Sequence, residues 1–366
     1  MVRTWSLVCL SRIARDSPAS SNKAMKVLII RRDNIGDLIC TTPLFEAIRL
    51  QYPDAYIAAL VNSYNAPAIH GNPHLDAVFA YTKGKHTDSE TILGAYWRRA
   101  QLLWQLRRLR FDYVLLATSG FAARALKLAR MIAPRHTVGF VSDALSSAYI
   151  DLPVQSAPAE MRHETEEMFR LLEPLGISRE IPGLTVVPDS AKVAQLTRSL
   201  PVAVTDDFRG PLVALHISAR KEKQRWPVAR FSELAHRLHA RFRARFLVFW
   251  SPGDENNPFH PGDDGKAKQL LDAMADLPVS PVHTAHLSEL MAGLALCDLA
   301  VLSDGGAMHV AAGLGKPLVC FFGNSPADRW HPWGVPYQLL QKPSRDVSDI
   351  SVDEAEAAFA VLMSQS

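Results

Sequence analysis

From Lys26 onward the chain alternates short, uninterrupted apolar runs with longer segments in which apolar residues recur every three or four positions. Short apolar runs are typical of strands buried on both faces, and the longer segments are typical of the helices that cover them. In the first half, the predicted strands are Val27–Arg31, Tyr56–Val61, Ala77–Ala80 and Tyr113–Ala117. The predicted helices of that half are Leu38–Gln51, Ser89–Leu109, Phe121–Ile132 and Glu160–Leu172. This order predicts an α/β unit built on a parallel sheet.

A stretch rich in proline follows, and it predicts a connection between two units. Its prolines are Pro182, Pro188, Pro201 and Pro211. After it the alternation restarts, with predicted strands Leu212–Ile217, Arg245–Trp250, Leu299–Ser303 and Leu318–Phe322. The predicted helices of this half are Val228–Phe242, Lys266–Ala275, Leu287–Leu296, Ala307–Leu314 and Val352–Met363. Two Rossmann-like units that face one another form a cleft, and ligands in such sheets bind beyond the carboxyl ends of the strands.

Composition narrows the class of protein. With 366 residues, 48% of them hydrophobic and 21% charged, the chain is expected to form two globular domains rather than a disordered polymer. A net charge of +3 is too small for a general nucleic-acid binder, so we expect no nucleic-acid partner. The four cysteines are far apart with no CxxC pair, which argues against a zinc knuckle or a disulfide framework and favours a reducing, cytoplasmic compartment. No apolar run approaches the roughly 20 residues that a membrane span needs.

Residues 1–24 do not resemble a secretory signal. They carry three arginines, and their apolar stretch is broken by Ser6 and Ser11, whereas a signal peptide has a longer and cleaner apolar region. We predict a disordered extension or a start codon assigned too early, because Met25 directly precedes the first strand. A surface anchor or an organellar address is the alternative.

The first predicted strand ends in the sequence RRDNIGD, and a helix is predicted to begin near Asp37. The amide groups and the positive end of that helix would point into the cleft. The loop has a single glycine, Gly36, and lacks the GxGxxG pattern, which disfavours a dinucleotide-dependent oxidoreductase. Asp37 is interpreted either as the N-cap of the helix or as a carboxylate at the cleft that acts as a general base.

Strand exits in the second half carry candidate ligands for a nucleotide. A hydroxyl and several cations follow the first strand there: Ser218, Arg220, Lys221, Lys223 and Arg225. They suit a phosphate ligand, and an ordinary solvated loop is the alternative. After the next strand, Asp254 or Glu255 could accept hydrogen bonds from a ribose or simply belong to a surface loop.

The exit of strand Leu299–Ser303 places glycines immediately before a helix. Asp304, Gly305 and Gly306 form this turn, and the unpaired amides of the helix would cradle a diphosphate without a metal ion. His309, in the first turn, is interpreted either as a structural residue or as one that reaches the ligand.

Three blocks in sequence order resemble glycosyltransferase family 9, the heptosyltransferases of lipopolysaccharide inner-core assembly and their relatives. The blocks are VLIIRRDNIGDLICTTPLFEAIR, SARKEKQRWPVARF and LSDGGAMHVAAGLGKPLVCFFGNSPADRWHPWG, and they extend from about Lys26 to Trp333. Two positions depart from the family pattern. Gly306 follows Gly305 where relatives often have Ser or Thr before a single Gly, and Gln224 stands where Lys is usual in some members. The first 24 residues have no counterpart in the pattern.

The resemblance implies an α/β fold of the GT-B type, with two Rossmann-like domains that face a central cleft. Residues 25–200 would bind the acceptor, residues 201–345 would bind a nucleotide sugar, and a final helix within residues 346–366 would pack back toward the first domain. The resemblance also implies an inverting transfer from a nucleotide sugar, ADP-heptose or another one, without a metal ion or cofactor. The implied acceptor is the anionic glycolipid of the lipopolysaccharide inner core.

The same resemblance implies roles for individual residues. Asp37 matches the general base of the family, and Glu255 matches a contact to the ribose. Ser218 and Lys223 match residues around the donor diphosphate, where Arg220 would add charge. The positions that match the nucleotide-sugar loop are Asp304, Gly305, Gly306 and His309. The residues expected on the acceptor side of Asp37 are Arg31, Arg32, Asn34 and Gly36.

Residues 96–110 form an unusual basic segment. Its leucines fall on one face of a helix, and arginines with Trp97 and Trp104 occupy the rest. One interpretation is a core-packed helix with a solvated basic face; the other is a surface attracted to an anionic glycolipid or to the cytoplasmic leaflet of the inner membrane. A cytoplasmic protein, free or peripheral at that membrane, is therefore expected.

Two hypotheses compete with heptose transfer onto the lipopolysaccharide core. One is the same fold with a different nucleotide sugar or acceptor, and the other is a non-catalytic GT-B binding module.

Overall fold

In the computed structural model, which describes residues 24–81, 92–142, 150–157, 161–205, 210–255 and 262–365, the chain forms two parallel β-sheets. The strands of the first sheet are β1 (Lys26–Ile30), β2 (Tyr56–Asn62), β3 (Ala77–Tyr81), β4 (Tyr113–Leu116), β5 (His136–Val141) and β6 (Leu152–Gln155). They lie side by side in the order β3-β2-β1-β4-β5-β6. The strands predicted in this half are confirmed as β1 to β4.

Both faces of this sheet are buried. Val27 and Ile29 of β1 pack into a cluster on one face, whereas Leu28 and Ile30 pack into a separate cluster on the other. Continuous apolar runs of this kind fit a parallel sheet, whose crossover helices cover both faces. Strands β5 and β6 were not predicted, because Gly139 interrupts the apolar run of β5 and Pro153 lies in β6, at the edge of the sheet.

The second sheet repeats the design. Its strands are β7 (Leu212–His216), β8 (Arg245–Phe249), β9 (Val279–Val282), β10 (Leu299–Ser303), β11 (Leu318–Phe322) and β12 (Tyr337–Gln341). Their order is β12-β11-β10-β7-β8-β9, so that β9 and β12 are the edge strands. These two edge strands were not predicted. β9 has only four residues, one of them Pro281, and β12 is nowhere fully buried.

Helices connect the strands in both units. Those of the first unit are α1 (Ile35–Ile39), α2 (Thr42–Gln51), α3 (Ile92–Leu109), α4 (Ala123–Ile132) and α5 (Glu164–Phe169). The later helices are α6 (Ser190–Ser199), α7 (Val202–Thr205), α8 (Val228–Phe242), α9 (Asp264–Ala273), α10 (Leu287–Leu296), α11 (Gly306–Gly313), α12 (Ala327–Trp330) and α13 (Val352–Met363). Among these residues, no helix is both long and apolar enough to cross a membrane.

Two predicted helices differ from the structure by more than a shift of one to three residues at an end. The one expected over Leu38–Gln51 is split into α1 and α2, with Pro43 in the first turn of α2, where a proline is tolerated because that amide needs no intrahelical partner. The one expected over Glu160–Leu172 begins at Glu164 and continues after Phe169 as a tighter 3-10 turn, Arg170–Leu175, which contains Pro174. Residues 1–23, where we predicted an extension, lie outside the described residues.

The connection and the last helix both lie against the second unit. Helix α6, within the proline-rich stretch, packs on α10, and Lys192 Nζ donates to Ser288 Oγ at 2.8 Å. Helix α13 packs on α8 and β12 and buries Phe359 completely. The packing of this helix toward the first domain, expected above, is therefore corrected, since its apolar face joins the core on one side of the second sheet.

Candidate active site

A cavity of about 730 Å³ opens between the two units at the carboxyl ends of their central strands. The loop after β1 forms one wall, and the loops after β7, β8 and β10 form the other. Nine of the predicted site residues line it: Asn34, Gly36, Asp37, Ser218, Arg220, Asp304, Gly305, Gly306 and His309. Arg31, Arg32, Lys223 and Glu255 do not line it.

Asp37 lies in the first turn of α1, where its carboxylate is held by three hydrogen bonds. Asn34, and not Asp37, is the N-cap residue. The Asn34 backbone amide and side-chain amide both donate to Asp37 Oδ2 at 2.9 Å, and Arg31 Nη2 donates to Oδ1 at 2.9 Å. A carboxylate has about four acceptor positions, so these bonds fix its orientation and leave one position on Oδ1. This arrangement suits a group that accepts a proton from a ligand in the cavity.

Arg31 has a different place from the one predicted. It is only 1% exposed, so a direct contact with an acceptor is corrected to a supporting role. Its guanidinium donates to Asp37 and, at 2.7 Å, to Glu164 Oε1. Burial opposes the charge on Arg31, but Glu164, Asp37 and Asp33 together raise its pKa above the ordinary value. Arg31 therefore stays charged and orients the Asp37 carboxylate.

Glu164 links this arginine to the second unit. Its side chain is completely buried, and its Oε2 accepts from Arg329 Nη2 at 2.7 Å, with Ser119 Oγ donating to both oxygens. Arg329 belongs to α12, next to Trp330, which lines the cavity. A chain of charges thus runs from Asp37 through Arg31 and Glu164 to the other unit. Glu164 and Arg329 were not predicted as site residues, because nothing in their local sequence indicates that a carboxylate is buried.

The exit of β10 forms the wall opposite Asp37. Gly305 is the N-cap of α11, and the first amides of a helix have no intrahelical acceptor, so this end can bind an anion. Asp304 Oδ2 accepts from Gln224 Nε2 at 2.7 Å. A Cβ placed on Gly306 would lie 3.6 Å from Ile35 Cβ, in ordinary contact with α1. Helix α1, which carries the predicted general base, and the predicted diphosphate loop are therefore neighbours across the cavity.

The cations after β7 are arranged differently from the prediction. Residues Glu222–Gln224 form a 3-10 turn, in which side chains three apart lie on the same side. Lys221 and Gln224 consequently line the cavity, whereas Lys223 is exposed and does not line it. Arg220, Lys221 and Arg225 are cations that line the cavity, whereas the predicted contact of Lys223 with a diphosphate has no support from its position.

Ser218 supports the loops beneath the cations. Its Oγ donates to Asp263 Oδ2 at 2.6 Å and accepts from the Ser251 amide at 2.8 Å. Asp263, a buried residue that was not among the predicted site residues, also pairs with Lys266 Nζ at 2.8 Å. Nearby His216 lines the cavity, and burial lowers its pKa to about 4, so it is neutral near pH 7.

Two predicted ligand residues stand apart from the cavity. Glu255 is exposed and lies 3.7 Å from Lys266 Nζ, and the residues that follow it are outside the described ranges. Arg32 stacks on the Tyr81 ring at 5.2 Å and hydrogen-bonds to its hydroxyl. The contacts of Glu255 with a ribose and of Arg32 with an acceptor stay predictions.

His309 packs directly against the first unit, with its Nδ1 3.5 Å from Cys40 Sγ. It is 3% exposed, and its ring lies edge-on to Trp330 with centroids 6.0 Å apart. Burial lowers the pKa of His309, although Asp304 and Asp37 act in the opposite direction. A Cβ added to Gly36 would lie 2.6 Å from His309 Cδ2, so only glycine allows this approach of α1 to α11.

We therefore expect Gly36→Ala to lower both stability and turnover. The new methyl group must displace the His309 ring, and overpacking of this kind typically costs about 1 to 3 kcal/mol. Thermal unfolding and the rate of the sugar transfer that the family resemblance implies would measure the two effects. Gly183→Ala is the matched control, because a Cβ there meets nothing within 4 Å. Unchanged behaviour of the Gly36 variant would mean that the contact is not needed.

Comparison with known proteins identifies the family. Residues 99–351 match the sequence model described as glycosyltransferase family 9 (heptosyltransferase). The chain is 24% identical over 301 residues to lipopolysaccharide heptosyltransferase 3 of Escherichia coli, covering 81% of this chain and 83% of the relative. It is also 24% identical over 312 residues to lipopolysaccharide heptosyltransferase 2 of Salmonella typhimurium, covering 83% and 84%.

Solved structures show the same architecture. A glycosyltransferase family 9 protein from Veillonella parvula superimposes with a TM-score of 0.77 at 19% identity, covering 95% of this chain and all of the other. ADP-heptose lipopolysaccharide heptosyltransferase II of E. coli gives a TM-score of 0.72 at 18% identity, covering 93% and 99%. The predicted GT-B fold is confirmed. Since the family model spans more than half of the sequence, the chain belongs to glycosyltransferase family 9 and is a glycosyltransferase.

Proposed function

We propose that this enzyme moves a heptose from ADP-heptose onto an anionic acceptor of the lipopolysaccharide inner core, in the cytoplasm and with inversion at the anomeric carbon. Its relatives carry the names of lipopolysaccharide heptosyltransferases, and they motivate the choice of donor and acceptor. The observation that carries the proposal is the position of Asp37. It lies across the cavity from the end of α11, on a helix that touches that end.

The proposed reaction is a single displacement. The acceptor hydroxyl gives its proton to Asp37 Oδ1 while its oxygen bonds to the anomeric carbon. The bond from that carbon to the diphosphate oxygen breaks on the opposite face, and its electron pair leaves with the nucleoside diphosphate. The transition state has oxocarbenium character, as in glycoside hydrolysis. Retention would need a carboxylate nucleophile on the other face, and our proposal assigns none.

The leaving diphosphate is assigned to the second unit. Arg220, Lys221 and Arg225 supply positive charge, and the amide groups at the start of α11 supply donors. Donors that are fixed before the reaction commonly lower the barrier by about 2.7 to 4 kcal/mol each. These groups support a metal-independent mechanism. A cavity of about 730 Å³ is also within the usual size range for a site of one small ligand.

Gln224 is the observation that favours a second candidate, the same transfer from another nucleotide sugar. Its amide donates to Asp304 and, at 3.1 Å, to Ser325 Oγ, at the position where some relatives carry a lysine. Compared with a lysine, the neutral amide of Gln224 removes one positive charge from the wall of the cavity that the second unit forms. The identity of the donor is therefore the first thing to measure.

The test is the shift of the thermal midpoint with ADP, UDP, GDP and ADP-heptose. A ligand present at 100 times its Kd, and bound only by the folded protein, stabilises it by about 2.7 kcal/mol. We expect a shift with ADP and ADP-heptose that is lost in Arg220→Ala. Lys223→Ala is the matched control and should keep the shift, because Lys223 does not line the cavity.

Other outcomes separate the hypotheses. A shift with UDP or GDP alone would keep the glycosyltransferase and discard heptose as the sugar. No shift with any nucleotide would contradict the assignment of the donor site. Loss of the ADP shift in Lys223→Ala but not in Arg220→Ala would contradict the arrangement of cations described above.

A further inference from the structure

Helices α3 and α4 form one outer face of the first unit, and the charge on this face is segregated. Residues 92–110 and 121–135 hold nine arginines and lysines and no aspartate or glutamate. The whole chain is only +3, so the remainder is net acidic. One-signed charge on a single face is not needed for folding, because a surface of mixed charges would solvate the helices equally well.

The apolar side of both helices is already used by the core. Leu106 of α3 and Leu128 of α4 are buried in the cluster that covers the sheet. The two helices also touch each other, and Arg107 Nη1 donates to the Met131 carbonyl at 3.1 Å. Packing against the sheet therefore explains the leucines of this face, but it does not explain its tryptophans.

Trp97 and Trp104 point away from the core. Their exposures are 67% and 61%, and a spacing of seven residues puts them on the same side of α3. The Arg108 guanidinium lies over the Trp104 ring at 4.5 Å. Tryptophan is the side chain most characteristic of the boundary between lipid and water, where its ring is apolar and its indole N–H remains hydrated.

Beside the tryptophans, α4 adds a second mixed surface. A hollow of about 650 Å³ is lined by Phe121, Ala123, Leu126, Lys127, Arg130 and Met131. Lys127 and Arg130 are exposed, and the long stems of such residues can lie on apolar surface while the charges reach outward. The two helices thus offer exposed aromatic rings, an apolar hollow and a surplus of cations on one face.

We propose that this face, formed by α3 and α4, docks the protein on an anionic lipid bilayer. The arginines and lysines pair with lipid phosphates, and Trp97 and Trp104 enter the headgroup region. Each lysine or arginine close to an anionic membrane surface raises the binding constant by a factor of about five. Aromatic side chains add the burial of apolar surface, which does not depend on salt. The positive charge of the face would suit an anionic membrane or an acidic soluble protein, and the two exposed tryptophans favour the membrane because they fit the lipid interface.

The docking would also orient the active site, and this step rests on the proposed function. In a parallel sheet the helix after β3 starts at the carboxyl ends of the strands. The beginning of α3, with Trp97, therefore lies toward the end of the sheet at which β1 leads into the loop that carries Asp37. A bilayer on this face would hold a lipid-linked acceptor on the side of the molecule where the cavity opens.

The test is sedimentation of the full chain with vesicles of phosphatidylcholine, with and without phosphatidylglycerol. We expect binding that requires phosphatidylglycerol and weakens as salt is added. Arg107→Gln with Arg108→Gln should lower the affinity about 25-fold, at roughly fivefold for each charge. Trp97→Ser with Trp104→Ser should lower it as well, and the remaining binding should be more sensitive to salt.

Matched controls use exposed residues elsewhere. Arg237→Gln with Arg241→Gln removes the same charge from α8 of the second unit, and Leu50→Ser removes an exposed apolar side chain. Equal losses in these variants, or no binding to anionic vesicles, would overturn the proposal. Binding that a water-soluble anionic glycan abolishes would also overturn it in favour of a headgroup site. The ADP-induced shift should persist in every variant, so that failure of docking and failure of the proposed function are distinguishable.

Discussion

Asp37→Asn is expected to lower the rate of sugar transfer by about 10²- to 10⁴-fold, the usual contribution of a general base. The asparagine side chain keeps the size of aspartate but cannot accept the proton of the acceptor hydroxyl. The donor site lies on the other unit, so the ADP-induced shift in thermal midpoint should survive. Turnover with a fixed donor and acceptor, measured beside that shift, separates an enzyme from a binding module.

The control for this variant is Asp33→Asn. Asp33 also pairs with Arg31, with its Oδ2 3.3 Å from Nε, but it does not line the cavity. Asp33→Asn, like Asp37→Asn, takes one negatively charged partner away from Arg31. Turnover of the Asp33 variant should nevertheless stay within a few-fold of the unmodified enzyme. Equal rates for Asp37→Asn and the unmodified enzyme would refute Asp37 as the base.

Glu164→Gln is expected to destabilise the protein by about 3 to 5 kcal/mol, the typical cost of removing one partner of a buried ion pair. Its side chain is inaccessible to solvent, and both of its arginines would lose a carboxylate. We also expect slower transfer, because Arg31 would no longer be held between Glu164 and Asp37. Chemical denaturation and turnover measure the two effects.

Glu233→Gln provides the comparison for this second variant. Glu233 pairs with Arg237 on the surface of α8, where its side chain is 52% exposed. An exposed pair of this kind contributes under about 1 kcal/mol, so stability should hardly change. If Glu164→Gln were as mild as Glu233→Gln, the buried chain of charges would not be needed for folding.

Much of the fold is predictable from the sequence, for physical reasons. The limits of α8 and β10 match the structure, because one segment has a clear helical period and the other is a single apolar run. Edge strands such as β9 and β12 carry no such signal, since they are short and only partly buried. Those strands are stabilised by their neighbours in the sheet and not by their own composition.

The site is predictable in part, because its residues follow strand exits that a parallel sheet brings together. Asp37, Asp304 and His309 were found in this way. The position of Lys223 outside the cavity could not be predicted, because the direction of a side chain in a short 3-10 turn depends on local geometry that spacing does not give. Arg31 was misassigned for a second reason, because its burial depends on Glu164, which is 133 residues away along the chain.

The pairing of Glu164 with Arg329 has a consequence for recombination between relatives. The two residues lie in different units, 165 positions apart, yet they share one partly buried hydrogen bond. A chimera that joins this first unit to the second unit of another family member would leave the buried Glu164 carboxylate with Arg31 but without its second arginine, unless the incoming segment also supplies a cation at position 329. The two units of this enzyme should therefore be recombined only with relatives whose second unit supplies a cation that can pair with Glu164.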